Sequence, residues 1–465
     1  MSLSIKPEKH ILAWHANGFA SVDMWLSVIK KLREKEGVKI DFLFPEPSTL
    51  GLEDKNSDLF NLAEQFSDDI IYKGYSGRWF IAPTLIEART AMSATKFSKF
   101  DAEILRLSAR LTKGKASKYI ILKIIGRYLL IIYKYFIRIK ENLVRQSLYD
   151  FSLLSGADGM LLDVTVELKL VHTEPKNELK NIQRFSMLHG LATPGVSNSL
   201  KCEQSIDKRS DVTVYSKSHL EVNGYKKCFG ILEKNIVHAG IPRHDKDWIE
   251  FICNQFDDIK EDIFDSFVFI IGRQTSPYHT IARKRKALKD IYNVICVKNK
   301  LKLVIKKHPK ESLNGIDGDI YRDVLGMDNY GKTWLFSNSH PFILGKKSLF
   351  SISFYSGVPL DMLAINKPTI EYFDLVGLKE YDNKKSLRDE NGKAVSQYRY
   401  TKLVLGVSSK LELERYVESI LTQYDATVLP LRSRYDDFFK TFDSASEMVA
   451  NDIYKRIDTL KVKNI

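Results

Sequence analysis

The sequence predicts an α/β chain of two Rossmann-like domains facing each other across a cleft, with helices at the C-terminus. Three observations predict it. Short apolar runs alternate with helical stretches in two series, and the alternation breaks near residues 256–265. The runs are short and nearly continuous in apolar residues, the pattern of parallel strands buried on both faces. The chain has 465 residues, 44% of them hydrophobic and 28% charged, which suffices for two sizeable cores. The expected division is 1–258 and 259–465.

In the first series, Ile11–Trp14 reads as a strand and His15-Ala16-Asn17-Gly18 as the loop that ends it. A helix is expected from about Ser21, a good N-cap, to Lys35. Lys39–Phe44 is the next strand, closed by Pro45 and Pro47. Open α/β sheets bind ligands at the carboxyl ends of their strands, so His15 is a cleft candidate, set against a purely structural histidine. Residues 50–115 carry no usable motif. Lys118–Lys140 places Lys123, Arg127, Lys134 and Arg138 on one narrow helical stripe, with Ile, Leu, Tyr and Phe filling nearly all the rest. That pattern suits a helix lying in a membrane interface, and its charges count against spanning. The expectation is an apolar face packed on the domain and a rim that touches an anionic membrane surface.

Asp158-Gly159 marks a turn and Met160–Leu162 a strand. Asp158 and Asp163 are candidate catalytic carboxylates, with element caps as the alternative. Arg184–Gly190 is a strand ending in His189-Gly190. A histidine exposed there can serve as general base or acid near neutral pH, and the glycine lets a substrate approach. Asp211–Tyr215 is another strand, followed by a helix from about Ser218. Asn235–Ala239 leads into Gly240-Ile241-Pro242-Arg243-His244-Asp245 and a helix over Lys246–Gln255. Arg243 can bind phosphate or carboxylate bidentately in the cleft; the alternative is a salt bridge to Asp245.

The second series opens with Ser266–Gly272, whose terminal loop begins at Arg273. A lysine-rich helix over Ile281–Val297 precedes the strand Leu301–Ile305, which runs into Lys306-Lys307-His308-Pro309-Lys310. Pro309 fixes its own φ and biases His308 toward extended backbone. A histidine among lysines at a strand's carboxyl end suits a phosphate; solvated lysines in a turn are the alternative. Thr333–Phe336 is a short strand. Ser348–Ser356 is another, with a helix from about Pro359 to Lys367 and the strand Thr369–Phe373 after it. Ser356 and Gly357 thus stand at a helix N-terminus, where free N–H groups favour an anion. Asp361, in the helix's first turn, can accept from a ribose hydroxyl or stabilise the helix start. The chain is mostly helical from about Leu411.

The net charge of +13 suits an anionic partner. No zinc-knuckle, RRM or helix-turn-helix pattern accompanies it, so nucleic acid is not expected. Cys202, Cys228, Cys253 and Cys296 form no CxxC pair, which fits a reducing cytosol. The N-terminus has no apolar signal core.

The order of motifs carries more than any one of them. His189-Gly190, then Gly-Ile-Pro-Arg-x-Asp, then Ile-Lys-x-His-Pro-x-Glu (305–311), then Phe354-Tyr355-Ser356-Gly357 and Asn366-Lys367-Pro368, resembles GT-B glycosyltransferases of bacterial surface polysaccharides. The relatives are CMP-Kdo and CMP-sialic acid transferases and the CDP-glycerol glycerophosphotransferases, over residues 184–375. The resemblance implies a GT-B fold and a transferase of a sugar acid from a CMP-activated donor to an oligosaccharide or lipid-linked glycan. The alternatives are CDP-glycerol or CDP-ribitol transfer, and a non-catalytic membrane-associated scaffold. It implies His308 and Ser356 on the donor phosphate, Asp361 on ribose, and His189 as base; Gly357, Lys306 and Arg273 join the donor site by their places at the strand ends. His15 and Arg243 remain cleft candidates, and Asp158 and Asp163 carboxylate candidates. Wall-polymer transferases carry Asp-Tyr-Ser-Ser where this chain has Phe354-Tyr355-Ser356-Gly357, which counts against their substrate. With no convincing DxD loop, catalysis is expected to need no metal or other cofactor. The expected location is cytoplasmic, peripheral on the inner face of the membrane.

Overall fold

The computed structural model describes residues 9–15, 19–44, 57–73, 79–82, 107, 111, 119–122, 124–129, 131–132, 156–164, 182–189, 212–256, 264–311, 313–384, 386–439 and 442–463. In the first half, β1 (Lys9–Trp14), α1 (Phe19–Arg33), β2 (Val38–Phe44), α2 (Ser57–Phe66), β3 (Asp69–Lys73) and β4 (Trp79–Ala82) come first. Then follow β5 (Gly159–Asp163), β6 (Gln183–Met187), β7 (Val212–Ser216), α3 (His219–Phe229), β8 (Ile236–His238) and α4 (Lys246–Phe256). The eight strands form one sheet in the order β4-β3-β2-β1-β5-β6-β7-β8. It is parallel except for β4, which runs antiparallel to β3.

The second half holds β9 (Phe267–Ile271), α5 (Ile281–Tyr292), β10 (Lys302–Lys306), α6 (Ile316–Leu325), β11 (Trp334–Phe336), α7 (Pro341–Lys347), β12 (Ser351–Ser353), α8 (Val358–Ala364) and β13 (Thr369–Tyr372). After α9 (Gln397–Tyr400) and β14 (Leu405–Val407) come α10 (Lys410–Thr422), α11 (Tyr424–Phe439) and α12 (Ala445–Lys463). Its six strands lie parallel in the order β11-β10-β9-β12-β13-β14. That is the doubly wound order, in which the crevice opens where the order reverses. The expected pair of Rossmann-like domains with parallel sheets is therefore what the chain forms.

Burial explains why these segments are strands. All five residues of β9, FVFII, are buried, so both faces need apolar side chains. Val268 and Ile270 enter one core with α5, α6 and α10, while Phe267, Phe269 and Ile271 face α7 and α8.

Three expectations change. Helix α1 begins at Phe19, so Ser21 lies inside it; its hydroxyl reaches the Trp14 carbonyl rather than capping the helix. Helix α12, expected to belong with residues 259–465, packs on the first half: Val449, Ala450, Ile453 and Ile457 join the core of α1 and β1. Asp452 accepts from the Tyr215 hydroxyl at 2.8 Å, and Asp458 pairs with Lys9 at 2.9 Å. In the basic segment the described apolar residues are mostly exposed rather than packed on the domain. Tyr119, Ile120, Ile121, Tyr128 and Ile131 are all at least 60% exposed. Arg127 is exposed too, while Lys123, Lys134 and Arg138 lie outside the described residues. Among the described residues no helix is long and apolar enough to cross a membrane.

Candidate functional site

The carboxyl ends of the two sheets bring the candidates into two groups. In the first half, Asp163 is the last residue of β5 and His189 lies two residues past β6, its neighbour in the sheet. The Asp163 side chain is fully buried, and its Oδ2 accepts from the His189 backbone N–H at 3.0 Å. The same oxygen meets His189 Nδ1 at 2.6 Å. A carboxylate there holds the proton on Nδ1 and leaves Nε2 as the free acceptor. The His189 side chain is 40% exposed, so the ring is open to solvent. Asp163 thus fixes the angle and the tautomer of the His189 ring.

Asp158 sits at the opposite edge. It precedes β5 and accepts from the backbone N–H of His10, near the start of β1, at 2.7 Å. This pins the amino end of the sheet, about five residues of strand away from His189, so Asp158 leaves the catalytic set. His15 is also corrected. It does follow β1, but it is fully buried, stacked on Phe42 at 4.8 Å, and burial pushes its pKa down to about 3. It is a neutral core histidine under the cleft.

Lys217, just past β7, is a residue that sequence patterns missed. It is 6% exposed. Burial drives its pKa down to about 8, with Glu221 and Asp163 opposing and Arg243 assisting. Asp361 of the second half also acts on it, so Lys217 lies where the halves meet. Its only sequence signal is a lysine directly after an apolar strand.

In the second half, β10, β9 and β12 are neighbours, and His308, Arg273 and Ser356 follow their ends in that order. Adjacent strands lie about 4.8 Å apart, so the three span roughly 10 Å. Burial and then Arg273 and Lys310 lower the His308 pKa to about 4, so the ring is neutral at physiological pH. Its Nδ1 accepts from the Lys310 N–H at 3.1 Å, which puts the ring proton on Nε2 as a donor. The Arg273 guanidinium lies 6.0 Å from the Tyr355 ring centroid and donates to the Tyr278 hydroxyl at 2.5 Å, with its buried Nε unpartnered. Lys306 turns outward, toward β11, and donates to the Asn338 carbonyl at 2.6 Å.

A buried charge knot sets this edge. Lys284 of α5, with no exposed surface, donates to Glu311 at 2.5 Å, to Asp317 at 2.9 Å and to the Arg273 carbonyl at 2.9 Å. Glu311 in turn accepts from the His308 backbone N–H at 2.6 Å, and Asp317 from that of Thr275 at 3.0 Å. A Cβ on Gly272 would fall 2.5 Å from a Glu311 oxygen, so the close approach requires glycine.

The expected helix N-terminus contributes less than predicted. Helix α8 has seven residues, Pro359 supplies no N–H, and Ser356 Oγ already accepts from the Val358 N–H at 3.3 Å. Tyr355 before it adopts φ +76, a conformation that costs a non-glycine residue about 1–3 kcal/mol and collects at functional sites. Gly357 itself is exposed with φ −79, so nothing about its backbone demands glycine.

Arg243 and Asp361 pair with each other across the two halves. Arg243 donates to Asp23 of α1 and, at 2.5 Å, to Asp361 of α8. The alternative partner, Asp245, caps α12 through the backbone N–H groups of Ala445 and Ser446 at 2.9 and 2.7 Å.

No protein-family model matches the chain, and no curated protein does. Solved structures do match. The wall teichoic acid polymerase TagF superposes with a TM-score of 0.52 at 11% identity, over 98% of this chain and 90% of that one. A second TagF structure gives 0.51 at 11% identity, over 98% and 90%. A putative UDP-N-acetylglucosamine 2-epimerase from Listeria monocytogenes gives 0.52 at 8% identity, over 97% of each chain. At such identities the likeness is one of fold, and the fold is GT-B.

Proposed function

We propose that the chain is a transferase that takes a cytidine-nucleotide donor, moves its sugar acid to a glycan hydroxyl and releases CMP. The Asp163–His189 pair, with Nε2 open on the cleft edge of the first sheet, carries the proposal. Opposite it, the neutral His308 offers an Nε2–H, and Arg273 and Ser356 offer further donors, to a phosphate. In the step proposed, the bond from the anomeric carbon to the CMP phosphate breaks and its electron pair leaves with CMP. The acceptor oxygen bonds to that carbon, and its proton passes to His189 Nε2. Donors fixed on the leaving phosphate stabilise the charge that develops there. Cytidine and the sugar acid rest on the motif resemblance.

The TagF match favours a second course, in which the acceptor oxygen attacks the β-phosphorus of a CDP-polyol and CMP again leaves. Incubating the protein with a CMP-linked sugar acid or with CDP-glycerol, each with a lipid-linked glycan and EDTA, separates them. A glycosidic product from the first donor is expected. A phosphodiester from the second selects the polyol course; CMP from neither leaves a scaffold, and inhibition by EDTA overturns metal independence.

The exposed apolar residues between Tyr119 and Ile132, with the basic stripe of Lys123, Arg127, Lys134 and Arg138, support docking on an anionic membrane, where a lipid-linked acceptor would lie. Changing those four to Gln should release the protein from phosphatidylglycerol vesicles in a flotation assay; unchanged binding contradicts the docking.

A further inference from the structure

The six residues Gly240–Asp245 together contact both halves of the molecule. Gly240 takes φ +81 and turns the chain out of the first sheet. Ile241 is 6% exposed, packed with Leu360, Leu363, Leu431 and Tyr435 of the second half. Pro242–His244 form one 3-10 turn. Arg243 reaches Asp23 in the first half with one guanidinium nitrogen and Asp361 in the second with the other. His244 Nε2 donates to the same Asp361 oxygen at 2.7 Å, and its Nδ1 accepts from the Tyr435 hydroxyl at 2.6 Å. Asp245 caps α12, the helix that returns to the first half.

Asp23 has a second contact across the halves. His340 caps α7 by accepting from the Phe342 N–H at 3.2 Å, and its other nitrogen lies 3.9 Å from Asp23. Burial alone would raise the Asp23 pKa, but Arg243 and His340 outweigh it and hold the carboxyl at about 2. The pair is therefore ionised and desolvated, a setting in which removing one partner is costly.

We propose that the 240–245 turn is the joint between the two halves, and that Arg243 and Asp361 are positioning residues. By tying α8 to α1, they set Ser356 and Gly357, which directly precede α8, at a fixed offset from the Asp163–His189 pair. The joint follows from the contacts alone; its effect on transfer rests on the donor site proposed above. The alternative is that Arg243 and Asp361 each touch the ligand directly, Asp361 through a ribose hydroxyl.

A double-mutant cycle with Arg243→Ala and Asp361→Asn distinguishes these, read in two ways on the full chain. In urea unfolding without ligand, the double variant's midpoint shift should be smaller than the sum of the two single shifts, because both substitutions remove the Arg243–Asp361 contact, while Arg243→Ala alone also loses Asp23 and Asp361→Asn alone also weakens the bond to His244. In transfer, each single substitution should lower kcat by roughly 10²-fold, the scale of a 1 Å misplacement, and the double by the same factor. CMP affinity should stay within about threefold, since the donor side chains are intact. Multiplying effects in the transfer cycle, or a tenfold loss of CMP affinity in Asp361→Asn, would overturn the positioning role. Additive midpoint shifts would overturn the joint. If transfer proves absent in the native chain while the urea cycle is coupled, the joint stands and the donor site fails. Should Arg243→Ala not fold, Arg243→Lys, which can reach one carboxylate only, carries the same cycle.

Discussion

His189 has its chemistry set by one neighbour. Asp163 takes both its backbone N–H and its Nδ1 proton, so the ring is fixed in angle and in tautomer. Changing Asp163 to Asn keeps the shape and removes the charge. Transfer should then fall by up to about 10⁴-fold, the scale reached when a general-base histidine loses its orienting carboxylate, with CMP binding unaltered. A kcat within twofold of native would show that the pair is structural. His189-Gly190 was legible in the sequence as a strand ending in a histidine, because the apolar run RFSML stops there. Its partner was legible only as one of two aspartates. Asp158 and Asp163 bracket the same strand, and no pattern tells which end of a strand meets the cleft until the neighbouring strands are in place.

At the scale of the elements, parallel strands were legible because burial on both faces leaves a compositional trace. The strands β9, β10 and β13 appear within a residue or two of where the apolar runs place them. Contacts between elements left no such trace. Lys284 lies in a helix with several lysines and looks like one more solvated charge, yet it is sealed against Glu311 and Asp317. Gly-Ile-Pro-Arg-His-Asp reads as a loop offering an arginine to a ligand, and the structure spends that arginine on two carboxylates more than a hundred residues from each other along the chain. Helix α7 was missed because its seven residues are too few to show a period. The helix after Ser356 is legible in the sequence, but it offers an anion less than the sequence suggests, since Pro359 and the Ser356 cap take up what a longer helix would leave free.

Over the whole molecule, buried histidines should make stability depend on pH. His15, His279 and His308 have folded pKa values of about 3, 3 and 4, each lowered first by burial. Unfolded histidines titrate near 6.5. Below that pH the unfolded chain takes up protons that the folded one refuses, so stability is complete above pH 6.5 and is lost as pH falls toward 4. Glu371 acts in the opposite sense. Burial raises its pKa to about 7 despite the Ser396 hydroxyl, so it gains stability as pH falls below 7. These three histidines outweigh one carboxyl, and His244, also lowered by burial, adds to them, so the unfolding free energy should drop by at least about 2 kcal/mol between pH 7.5 and 5.5. In Glu371→Gln the drop should grow to about 4 kcal/mol. Equal stability at the two pH values would contradict the neutral, buried state of these rings.

In the transfer proposed, labour is divided: the second half holds the donor phosphate and the first half supplies the base. Calorimetric titration of CMP into the native chain, His189→Ala and His308→Ala tests it most directly. The native chain and His189→Ala should bind CMP equally, and His308→Ala at least tenfold more weakly, about 1.4 kcal/mol. Equal affinity in all three, or a loss confined to His189→Ala, would contradict it.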